Sequence, residues 1–198
     1  MSKKSKKTTE RADPKNVFDD TGSLLAALVG VSWETPLLDR PQLELRLKDK
    51  SRAPELLRYV EDSSAGSAMR SKAASILSDI DELDIHTMTL VLDLLKRSAA
   101  DLGDSLLSPL IKTVARHCGR NIDQYKCLDV LERIIDLPGI EPRVRADAIK
   151  SMANFSDAAL VERLLFRRLV TNEEQEAVAD VVRSVLNRPF RLSTMSPA

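Results

Sequence analysis

Cysteine is nearly absent: the 198 residues hold two, Cys118 and Cys127. Two cysteines do not make a disulfide framework, and both lie in apolar-periodic stretches. They are expected to be reduced and buried, with a regulatory disulfide as the alternative if the fold brings them together. Histidine is as rare, with two copies, His86 and His117. Aromatic residues make up 4% of the chain and glycine occurs six times, which argues against a strand-rich sandwich. There is no excess of either charge: 30 Lys+Arg face 30 Asp+Glu, so a dedicated nucleic-acid coat is excluded. No long apolar run is present. The most apolar stretch, Leu24 to Trp33, is about half the length needed to span a bilayer. Met1 to Lys15 is basic but is not followed directly by an apolar segment, so no secretory signal is read and a cytoplasmic protein is expected.

What is present is enough to fold. Hydrophobic residues make up 43%, and the length suits one domain with tails. Residues 1–20 read as a disordered basic tail, because Lys3, Lys4, Lys6 and Lys7 repel one another without an apolar anchor. Residues 21–52 read as an irregular capping or partner-docking segment. Asp20, Thr21 and Ser23 offer caps for one short helix through Leu24, Leu25 and Leu28. Pro36 and Pro41 then interrupt. Leu43, Leu45 and Leu47 alternate with polar residues, but the stretch is too short and isolated for a sheet.

From residue 53 to 189 the pattern is constant. Eight segments carry apolar residues three and four apart, from Leu56, Leu57 and Val60 to Val178, Val181 and Val185. The punctuation agrees. Asn121 with Gln124, and Thr171 with Glu174, have capping-box spacing. Gly103 and Gly119 stand where a left-handed residue would end a helix. Pro138-Gly139 breaks the chain before Pro142, which suits a first helical turn. Asp84 and Ser156 suit N-caps, Pro189 stops the last helix, and 190–198 reads as a flexible tail. The fold class is all-α.

Helices this short, joined by shorter loops, pack antiparallel in pairs. The second members begin near Gly66, Asp104, Glu141 and Asn172, spaced by about 38, 37 and 31 residues, a period typical of helical-hairpin arrays. The segments Met69-Arg70-Ser71-Lys72-Ala73-Ala74 and Val144-Arg145-Ala146-Asp147-Ala148-Ile149 resemble the second helix of HEAT repeats. The resemblance covers roughly Ala53 to Arg188. It departs in the fourth helix, which lacks the Val-Arg step, and in the eighth, where Glu176 and Asp180 hold the polar positions. It implies a short solenoid of about four HEAT-like antiparallel hairpins behind an N-terminal capping segment. It also implies Asp–Arg pairs within hairpins, Asp62 with Arg70 and Asp136 with Arg145. An irregular helical bundle is the alternative arrangement.

No catalytic apparatus can be assembled. His86, His117, Cys118 and Cys127 lack the paired spacing of a zinc site. Cys127 to Arg133 matches a C-x5-R phosphate loop in spacing alone, since the residues between them read as helix rather than glycine-rich turn. Asp79, Asp81, Glu82 and Asp84 lack the regular ligand spacing and glycine of a calcium loop. Asp84 reads as a cap, with a partner-facing acidic patch as the alternative. No P-loop, zinc-protease or nucleophile-elbow motif occurs. HEAT-like glycosylases for alkylated bases need aromatic faces in the groove, and the one Trp precedes the repeats. The expectation is a non-enzymatic protein without cofactor, metal or small-molecule substrate.

Interaction residues are the remaining candidates. Basic residues recur on second helices: Arg70 and Lys72, then Lys112, Arg116 and Arg120, then Arg143, Arg145 and Lys150, then Arg183. Arg70, Arg116, Arg143 and Arg145 are assigned to a protein partner, with internal ion pairing as the competing use. Trp33 either caps the first repeat or anchors a docking segment. The function expected is a protein–protein adaptor or assembly factor, a subunit or accessory of a larger complex. The alternative is a nucleic-acid-binding accessory protein using Lys3, Lys4, Lys6, Lys7, Lys112 and Arg120.

Overall fold

The computed structural model describes residues 20–30, 40–117, 124–152 and 172–186. Among them are nine α-helices and no strand. They are α1 (Thr21–Val29), α2 (Arg40–Leu47), α3 (Ala53–Glu61), α4 (Ser67–Asp79), α5 (Ile85–Ser98), α6 (Asp104–His117), α7 (Gln124–Asp136), α8 (Pro142–Ser151) and α9 (Asn172–Leu186). The all-α reading holds. No described helix is long and apolar enough to cross a membrane.

The helix ends follow from the side chains beside them. Asp20 accepts the Ser23 amide at 2.9 Å, and Gly30, at φ 74°, closes the other end of α1 in the left-handed region. Asp84 accepts the Thr87 amide at 2.8 Å and starts α5. Gly139, at φ 80°, makes the turn before Pro142 enters the first turn of α8.

Two local readings are corrected. The stretch around Leu43, Leu45 and Leu47 is helix α2, not irregular chain. Leu43 and Leu47, one turn apart, are both buried, whereas Leu45 between them is 74% exposed. Pro41 sits in the first turn, where its missing N–H is not needed. Gly103 is not a left-handed helix end, since it has no positive φ. It lies before α6, and its carbonyl accepts the Leu106 and Leu107 amides. The proposed features at Gly119, Asn121, Ser156, Thr171 and Pro189, like Trp33 and Cys118, lie outside the described residues.

Helix α3 packs on α4, α5 on α6 and α7 on α8. Neighbouring pairs also touch in two series. The first helices run α3 to α5 to α7, and the second helices run α4 to α6 to α8 to α9. Helix α1 packs on α2 and α4. The core lies between the two series and is almost wholly aliphatic, with Leu56, Leu77, Met88, Leu95, Leu107 and Leu131 all buried. Each such side chain contributes about 1.5–3 kcal/mol of transfer free energy.

Candidate functional site: a polar groove on the second helices

The second-helix arginines are placed by the caps they make. The last carbonyls of a helix have no partner in their own helix. Arg70, in the first turn of α4, donates Nε to the Val60 carbonyl at the end of α3, at 3.0 Å. Arg145, at the matching place in α8, donates Nε and Nη2 to the Ile140 carbonyl at 3.3 and 2.8 Å. Both tie a second helix to the chain just before it. Arg116 donates to the Ser78 carbonyl at 3.0 Å, and the buried His117 places Nε2 3.1 Å from the Ile80 carbonyl. These two tie α6 to the end of α4.

The Asp–Arg pair expected at Asp62 is therefore not a direct contact. Asp62 instead accepts the Ser64 hydroxyl and amide. Those hydrogen bonds hold its carboxyl below the usual range, with a smaller contribution from the nearby Arg70 charge. Arg145 finds its carboxylate further on, 3.6 Å away on Glu174 of α9, whose side chain is only 4% exposed.

Of the residues assigned to a partner, Arg70, Arg116 and Arg145 thus hold backbone carbonyls, while Arg143 is exposed at the start of α8. Of the alternative set, Lys112 is exposed on α6, and its Nζ lies 3.1 Å from Asp79. Trp33, Arg120, Lys3, Lys4, Lys6 and Lys7 lie outside the described residues.

The exposed faces of α4, α6 and α8 meet in a groove of about 490 Å³. Ser75 and Ser78 line it from α4, Ser108 and Lys112 from α6, and Asp147 and Lys150 from α8. The Ser108 hydroxyl donates to the Asp147 carboxylate and bridges α6 to α8. Higher on the same face Ser71 and Ser105 bond across α4 and α6 at 3.2 Å. Burial raises the pKa of Asp79, but Lys112 and Lys48, 3.1 and 3.4 Å away, outweigh it and hold the carboxyl below its ordinary value. Pro109, within α6, also lines the groove, and its ring removes one helical hydrogen bond there.

The lysines of this face were legible as a recurring basic series. The serines were not singled out, although Ser67, Ser71 and Ser75 repeat every fourth residue, the spacing that places them on one helical side.

The other candidate chemistries have local uses. The stretch from Cys127 to Arg133 runs inside the unbroken helix α7, and Cys127 is buried. Asp84 caps α5, Glu82 lies 3.6 Å from Lys50, and Asp79 holds two lysines. Among the described residues, no three His, Cys, Asp or Glu side chains are grouped to hold a metal ion. A second hollow, about 430 Å³ between α1 and α3, is lined by Asp20, Glu55 and Asp62. Each of these acids already accepts a hydrogen bond, from Ser23, Thr21 and Ser64 respectively. No family model matches the chain, and neither the curated proteins nor the solved structures yield a similar one.

Proposed function

We propose that the chain is a short HEAT-like helical solenoid acting as a non-catalytic protein-binding adaptor or assembly factor in the cytoplasm. In this reading it is a subunit or accessory of a larger complex, and the face of its second helices is the docking surface. One observation carries the reading. Helices α4, α6 and α8 stand side by side and leave a polar groove lined largely by short side chains. Hairpin arrays offer such faces because outward residues can vary without disturbing the aliphatic core. The Arg70 and Arg116 caps support the same reading, since they fix neighbouring helices through the backbone and leave the groove lining free to serve recognition.

The test is purification of the full-length protein from its native source, at low and high salt, with and without nuclease. A protein partner retained through both treatments, and lost with Ser75→Gln, supports the adaptor reading. Recovery of nucleic acid alone, released by high salt, overturns it, because phosphate contacts weaken steeply with salt.

A further inference from the structure

We propose that the groove between α4, α6 and α8 takes an acidic polypeptide segment, whose carboxylates meet Lys112 and Lys150. The inference rests on the docking reading above and supplies the chemistry of the partner.

Three observations converge on it. The first is unspent positive charge. Lys112 and Lys48 share one carboxylate, that of Asp79. Lys150 is exposed, and among the described residues no carboxylate pairs with it. Asp147, the one acid among the described residues lining the groove, accepts the Ser108 hydroxyl. An exposed Lys–Asp pair such as Lys112–Asp79 is weak, so a better-placed carboxylate can take the ammonium at little cost.

The second is the direction of the hydroxyl hydrogens. Ser78 donates to the Ser75 carbonyl and Ser151 to the Asp147 carbonyl, each at 2.7 Å. Ser108 donates to Asp147. The hydrogens point into the protein, and the lone pairs of the half-buried Ser108 and Ser151 oxygens remain for a ligand. A polypeptide brings N–H donors for those oxygens and carboxylates for the lysines. A phosphodiester brings acceptors only and leaves those serine oxygens unpaired.

The third is that no aromatic side chain occurs among the described residues lining the groove, so they offer no platform on which bases would stack. The surface therefore suits an acidic protein segment better than a nucleic acid.

Fluorescence anisotropy on the full-length protein tests this, with a labelled peptide of alternating Glu and Ala. Its Gln–Ala counterpart and a single-stranded oligodeoxynucleotide serve as comparisons. The Glu–Ala peptide is expected to bind at least tenfold more tightly than either, and more weakly as salt rises. The double variant Lys112→Glu/Lys150→Glu should lose at least tenfold, while Lys126→Glu on α7 stays within twofold, with circular dichroism confirming that both fold. No Glu–Ala binding, equal Gln–Ala binding, or an unaffected double variant overturns the proposal. Preference for the oligonucleotide overturns it in favour of a phosphate-binding face. The two readings fail separately. If Ser75→Gln removes the native partner but the lysine reversals do not, the acidic chemistry is wrong and the docking face stands. If neither variant affects the native partner, the docking face itself is wrong.

Discussion

The two series of helices are joined by different means. On the first-helix side, long charged side chains reach across hairpins: Arg97 of α5 to Glu61 of α3, and Lys96 of α5 to Asp129 of α7, both at 3.5 Å. On the second-helix side ion pairs also occur, Lys112 with Asp79 and Arg145 with Glu174, but they stand beside links that are short or end on backbone. Ser71 meets Ser105, Ser108 meets Asp147, and Arg116 and His117 hold carbonyls of the preceding hairpin. Exposed ion pairs are flexible, screened by salt and easily replaced. Hydrogen bonds to orphan helix-end carbonyls leave an unsatisfied group when removed. The second-helix side is therefore held more rigidly, and that is also where the groove lies. A surface that must present a fixed shape is better braced through backbone than through mobile lysines and arginines.

The difference can be measured, starting from its largest expected effect. Glu174→Ala removes the buried carboxylate beside Arg145, which keeps its bonds to the Ile140 carbonyl, and should cost about 2 kcal/mol. Urea unfolding should show that loss. A cost below about 1 kcal/mol would remove the contrast at its strongest point. Arg70→Ala leaves the Val60 carbonyl without its partner and should cost about 1–2 kcal/mol by the same method. It should leave binding at the groove unchanged, since Arg70 does not line it.

Asp84→Ala removes the α5 cap and should cost about 1 kcal/mol. The Asp84 carboxyl is held below its ordinary value by the Thr87 amide and then the Thr87 hydroxyl. Its contribution is thus fully present above the ordinary aspartate value, about 3.9, and is lost as the pH falls through the lower, folded-state value. Thermal melts of wild type and Asp84→Ala should accordingly converge as the pH drops below that point. The smallest effect is expected on the first-helix side. Glu61→Ala should change stability by less than about 1 kcal/mol, and the change should shrink further in high salt.

Much of the fold was readable before any coordinates, for identifiable reasons. Leu56, Leu57 and Val60 recur at helical spacing and all are buried, as periodicity requires. Asp84 and Pro142 sit where cap and first-turn chemistry put them. Helix α2 escaped because Leu43, Leu45 and Leu47 fit a strand alternation as well as a helix turn. Only burial shows that Leu43 and Leu47 form the pair. Gly103 was misplaced because glycine also serves as the residue before a helix, and φ cannot be read from residue type.

The site was less legible. Arg70 and Arg145 were seen as a matched pair, but the sequence names only the side chain and not the carbonyl it reaches. The groove depends on which faces of α4, α6 and α8 meet, and serines give no hydropathy signal for that. Ile85 and Tyr125, 57% and 68% exposed at the starts of α5 and α7, show the converse limit. Both are apolar or aromatic residues at helical spacing, yet each lies at a helix end, where spacing alone does not bring a side chain to the core.

The series of neighbour contacts also bears on how the chain is made. Helix α4 needs only α3 and α1 behind it to begin packing, and α6 needs α5 and the α4 already in place. Such a chain consolidates in the order in which a ribosome delivers it, each hairpin settling on the one before. The groove is complete only when α8 joins α4 and α6. A nascent chain interrupted after α6 would hold a partly formed core but no finished groove, so under the docking reading proposed above it could not capture a partner early.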